Sequence, residues 1–124
     1  MTWGQEIFRV LLLNFGMFEI ITNMSYLIKE NGLDSARKQH GELPPQLPLA
    51  KIKVKVIFML LFGVLFFITS LLTYILHKYI GFVLFMPSIL FSFYGITEAL
   101  YYKYWKTFGF AFVTILLLIA SILI

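Results

Sequence analysis

The stretch VIFMLLFGVLFFITSLLTYIL, Val56 to Leu76, runs for 21 residues without a charged side chain. A helix rises about 1.5 Å per residue and a bilayer core is about 30 Å thick, so about 20 apolar residues in a row are what a membrane crossing demands. The segment around Thr107 to Ile124 is equally free of charge, and the segment before it is interrupted only by Pro87 and Glu98. Composition agrees: 13% of the chain is charged, against about 25% in an ordinary soluble domain. The expected fold is an all-α integral membrane protein forming a single domain, 1–124, with four transmembrane helices in a small antiparallel bundle. The helices are expected at 5–28, 54–77, 79–103 and 107–124. Pro87 is tolerable inside a span where neighbouring helices satisfy the freed carbonyl, so it predicts a kink and not an end.

The loop 29–53 is the only sizeable connection. Asp34 to Gln39 suit one or two helical turns stopped by Gly41, and Pro44, Pro45 and Pro48 enforce an extended stretch. Lysine and arginine set the orientation. The loop and its flank hold Lys29, Arg37, Lys38, Lys51, Lys53 and Lys55, and the last connection adds Lys103 and Lys106, whereas Arg9 and Lys78 fall on the other side. Positive residues stay cytoplasmic, so the long basic loop is expected inside and both termini outside, in the plasma membrane. Lys51, Lys53, Lys55, Lys103, Trp105 and Lys106 are expected at the interface, where anionic lipid headgroups are the natural counterions of a chain with net charge +4. Nucleic acid is not an expected partner, because the cations flank apolar spans.

The first segment is the least ordinary. At 100° per residue Gln5, Arg9, Gly16, Glu19, Asn23 and Glu30 fall within an arc of about 80°, with Tyr26 at its edge and Asn14 alone on the opposite side. Twelve branched or aromatic apolar residues contribute about −4 to −7 kcal/mol to insertion and one central acid costs about +3, with the amides adding more. Insertion alone is near break-even. A polar face with more acids than bases suits a spanning helix that turns its stripe inward better than a helix lying among anionic headgroups.

Glu19 therefore marks a candidate intramembrane polar site. Asn23, Gly16 and Tyr26 accompany it on the same helix, and Ser88, Ser92 and Gly95 form a narrow stripe of small residues at similar depth on the third span. Arg9 is about 15 Å away along the helix, and every lysine is expected near an interface, so Glu19 reads as a carboxyl without a basic partner. It serves either as a hydrogen-bonded contact between helices or as a proton or cation site. Glu98 is expected to reach the interfacial lysines.

No cysteine is present, which excludes disulfides and thiolate chemistry. His40 and His77 are expected on opposite sides of the membrane and share no metal or haem. No nucleophile with a base, no phosphate-binding glycine loop and no acid cluster for Mg²⁺ is found, so neither cofactor nor metal is expected, and a lipid-modifying enzyme remains only a distant alternative. In size, helix count and a single acid in the first helix the chain is similar to small multidrug transporters. That likeness is architectural, with no shared motif, and the loop of about 25 residues here is short in that family. Two functions follow. The first is a non-enzymatic accessory, regulatory or immunity-type partner, of bacterial type, bound to another membrane protein or a second copy of itself. The alternative is a small homo-oligomeric proton- or cation-coupled transporter or channel using Glu19.

Overall fold

The computed structural model describes all residues, Met1 to Ile124, as five helices without strands. Helix α1 spans Trp3–Ile28, α2 Gly32–Gln39, α3 Leu49–Ile75, α4 Gly81–Tyr102 and α5 Trp105–Leu123. All but α2 are long and apolar enough to cross a membrane.

Local chemistry accounts for the boundaries. Thr2 Oγ1 accepts the Gln5 amide at 3.1 Å while Gln5 Oε1 accepts the Thr2 amide at 3.2 Å, a reciprocal cap that satisfies two otherwise orphaned donors. Asn31 turns the chain in the left-handed region, φ 56°, and α2 folds back against the end of α1. Only glycine fits at position 32, because a Cβ there would lie 2.2 Å from the Tyr26 carbonyl oxygen. Pro48, extended at φ −65°, precedes α3, and single left-handed residues, His77 and Lys103, make the two remaining turns. Pro87 is buried inside a helix that continues through it.

The helices associate as two tight pairs. In the first, α1 crosses α3 at Gly16 and Gly63: a Cβ on Gly16 would come within 2.6 Å of the Phe67 amide nitrogen, and one on Gly63 within 2.8 Å of Glu19 Cβ. In the second, α4 meets α5 where a Cβ on Gly95 would lie 2.7 Å from Thr114 Oγ1, and Ser92 Oγ donates to the Thr114 carbonyl at 2.9 Å. Small residues let backbones approach and gain dispersion contacts that apolar attraction alone does not supply in lipid. Phe8, Leu12, Met59, Phe66, Leu84 and Phe91 form the core between the pairs, with Phe66 edge-on to Phe91 at 5.5 Å. A second core, Ala36, Leu43, Ile52 and Val56, holds α2 and the loop against α3.

Candidate functional site

Polar side chains collect inside the bundle at the end that carries the loop. Glu19, on the buried face of α1, is 5% exposed. Its Oε2 accepts from Asn23 Nδ2 at 2.6 Å, and the same nitrogen reaches the Glu19 carbonyl at 2.7 Å. With Nδ2 committed as donor, Asn23 Oδ1 is left to accept, and it meets His40 Nε2 at 2.9 Å. The neutral imidazole therefore carries its proton on Nε2, which leaves Nδ1 bare, 3.8 Å from Glu42 Oε1. Burial pushes His40 down to about 4, with Glu42 opposing and Lys55 reinforcing the shift. Tyr26, next to His40 on the α1 side, donates to Gln39 Oε1 and ties the end of α2 to α1.

Lys55 is the centre of the cluster. It is 2% exposed. Its ammonium lies 3.0 Å from Glu42 Oε1 on the loop and 3.0 and 2.9 Å from the two Glu98 oxygens on α4. Three N–H donors thus face two carboxylates, and Tyr94 donates to Glu98 Oε2 at 2.9 Å. The Phe110 ring of α5 caps the ammonium at 3.6 Å from its centroid, where the negative face of the ring attracts a cation. The result is two bonded arms, Glu19 to Asn23 to His40 and Glu42 to Lys55 to Glu98 to Tyr94, which approach each other at His40 and Glu42 and together join α1, the loop, α3 and α4, with Phe110 of α5 packed on the ammonium. No three His, Asp or Glu side chains converge as metal ligands would. Lys55 itself occupies the space between the carboxylates. Neither arm offers a ready proton path: the Asn23 amide has no proton to pass on without becoming an imidic acid, and the bare His40 Nδ1 and the Glu42 carboxylate are both acceptors with no donor between them.

Several expected members lie elsewhere. Gly16 and Glu19 do share one contact, on either side of Gly63, and Asn23 stays with them, whereas Tyr26 reaches Gln39 and lies beside His40. Ser88, Ser92 and Gly95 do not join Glu19: Ser88 Oγ bonds the Leu84 carbonyl of its own helix, and Ser92 and Gly95 face α5. Lys55 is corrected from the headgroup layer to the interior, because α3 begins at Leu49 and turns position 55 onto its buried face with Ile52, Met59 and Gly63. Glu98 is likewise drawn inward to Lys55, away from Lys103 and Lys106, and His40 is buried instead of lying free in the loop. Lys53, Lys103, Trp105 and Lys106 are exposed at the loop end, and Lys51 bonds Tyr101 there at 2.8 Å. Sequence reasoning missed Glu42, Lys55 and Tyr94 as site residues. A signal for Lys55 existed in its phase, since it shares an arc with the small residues Gly63 and Ser70.

At the opposite end a smaller cluster forms. Arg9, buried, takes a two-pronged contact with Glu6 at 3.0 to 3.3 Å, donates to the Thr73 carbonyl at 3.3 Å, and lies 3.9 Å over the Tyr74 ring. By class, then, this is an all-helical chain with four helices suited to crossing a membrane and with ionic clusters buried near both of its ends. Compared with protein-family models, curated proteins and solved structures, it matches none.

Proposed function

We propose that the chain is a non-enzymatic multi-pass protein of the plasma membrane, of bacterial type, acting as an accessory, regulatory or immunity-type partner of other membrane components. One observation carries this reading. All five buried ionisable side chains, Arg9, Glu19, His40, Lys55 and Glu98, are bonded to other groups of the same chain. Charge buried in a membrane protein is costly and is kept where it has work to do, and here that work is to fix the helices and loop relative to one another. What is left for other molecules is the outward surface: apolar helix faces, and a basic end with Lys29, Lys38, Lys53, Lys103 and Lys106 exposed. The excess of lysine at that end supports a cytoplasmic loop beside anionic headgroups, and the proposed orientation has both termini outside. Purification in mild detergent is expected to bring down a second membrane protein in fixed ratio. Recovery of this chain with lipid alone would sink the partner reading.

Glu19, a buried carboxyl near the middle of α1 with no basic residue bonded to it, favours a second reading, a small homo-oligomeric proton- or cation-coupled transporter or channel. In proteoliposomes the Glu19→Gln variant would then lose most of the coupled flux, and flux unchanged by it would remove this reading.

A further inference from the structure

The outward face of α1 repeats every seven residues. Ile7, Asn14, Ile21 and Ile28 hold the first position of successive heptads, and Val10, Met17 and Met24 hold the fourth. Every one is exposed, the apolar ones by 42 to 76%. An apolar stripe of that kind suits lipid, but Asn14 does not. It sits near the middle of α1, about 16 Å from Trp3 at 1.5 Å per residue, which is about half the thickness of a bilayer core. Its Nδ2 donates to the Val10 carbonyl at 2.9 Å. The second N–H and the carbonyl oxygen are left without a partner in the chain, and hydrocarbon offers none.

A carboxamide both donates and accepts, so two Asn14 side chains related by a two-fold axis satisfy each other. The positions around it fit that arrangement. First and fourth heptad residues are those that meet across a pair of supercoiled helices, β-branched residues at the first position favour two strands, and a single asparagine there sets register and number. Copies inserted in the same direction can form a closed two-fold pair only about an axis along the membrane normal, which makes the two α1 helices parallel and brings each position opposite its own counterpart.

We infer that α1 is a dimerisation helix, in which a second copy of this chain packs along the Ile7 to Ile28 seam and pairs with it through Asn14. The inference rests on α1 crossing the membrane in one orientation, as proposed above. Glu19 and Asn23 occupy the opposite face of the same helix, so pairing leaves the internal network intact.

The natural absence of cysteine makes the test direct. Single variants Ile7→Cys, Ile21→Cys and Phe112→Cys, the last on the exposed face of α5, are oxidised in native membranes. Self-linked dimers are expected for the first two and not for the third. Asn14→Leu, measured by fluorescence transfer across a lipid-dilution series, is expected to weaken association about tenfold, with Asn14→Gln retaining most of it. Because Asn14 is exposed, unchanged thermal unfolding of Asn14→Leu under conditions where the chain is monomeric separates lost pairing from lost fold. Equal linking at Phe112→Cys, full association of Asn14→Leu, a monomer at every dilution, or a different protein linked at the seam would each overturn the inference. Linking only between co-expressed Ile7→Cys and Ile21→Cys would overturn it by a different route, since opposed copies mean that the single orientation itself fails.

Discussion

The two buried ionic clusters are built from the same chemistry and do different things. At the Arg9 end both charges lie on one helix, three residues apart, and the Glu6 side chain is 41% exposed. Such a pair adds little beyond the helix that already holds it, and the tie to α3 at this end runs instead through the Arg9 bond to the Thr73 carbonyl and its contact with the Tyr74 ring. At the Lys55 end the partners come from the loop, α3 and α4, separated by 13 and 43 residues, and the Glu98 side chain is 4% exposed. An ammonium removed from water and surrounded by two carboxylates is satisfied in only one tertiary arrangement. Sequence distance between the partners therefore separates a local tie from a constraint on the whole bundle.

The sharpest way to break this contrast is to delete the central ammonium. Lys55→Ala leaves Glu42 and Glu98 facing each other and is expected to lower unfolding free energy by about 3–5 kcal/mol, the cost of an uncompensated buried charge. Denaturant titration in detergent micelles checks it. Replacing the cluster together, Lys55→Met with Glu98→Leu and Glu42→Gln, is expected to recover much of that loss, because no buried charge is then left without its partner. Failure to recover would make the cluster itself, and not the stranded charge, the source of stability.

Acidification should discriminate the two ends next. His40 faces Asn23 and Tyr26 from α1, Lys55 from α3 and Glu42 from the loop, and its folded value of about 4 lies below the ordinary 6.5. The unfolded chain then binds the extra proton first, so this group's contribution is complete above pH 6.5 and is progressively lost as pH falls toward 4. A thermal-unfolding series is expected to lose that part of its slope in His40→Phe. The smallest effect belongs to Glu6→Gln, expected to cost about 0.2–1 kcal/mol in the same assay and to leave the loop end untouched.

Much of the architecture was legible in the residues. Runs of Leu, Ile, Phe and Val long enough for a bilayer leave few alternatives to helices, and the short helix expected at Asp34–Gln39 appears as α2, extended back to Gly32. The polar face of α1 was also legible, since a 3.6-residue period places Gly16, Glu19 and Asn23 together whatever the helix packs against. The site was less so. Alternating lysines at 51, 53 and 55 before an apolar run read as an anchoring cluster, yet once α3 starts at Leu49 Lys53 points away while Lys51 and Lys55 share the face toward α4 one turn apart, and only Lys55 lies deep enough to be buried. Which carboxylates meet it depends on how the loop folds back and how α4 crosses α3, neither of which leaves a periodic trace. Ser92 and Gly95 illustrate the same limit: their stripe was visible, but it packs on α5 and not on α1.

The length of α3 carries one more consequence. At 1.5 Å per residue its 27 residues reach about 40 Å, whereas the charge-free run Val56 to Leu76 covers about 31 Å, close to a typical hydrocarbon core of about 30 Å. A bilayer matched to that run leaves the first turns of α3, with Lys51 and Lys53, standing clear of the hydrocarbon. A thicker bilayer is expected to straighten the helix and a thinner one to tilt it, with the lysine-bearing turns kept at the water side. Membrane thickness thereby becomes a variable that the protein registers as tilt.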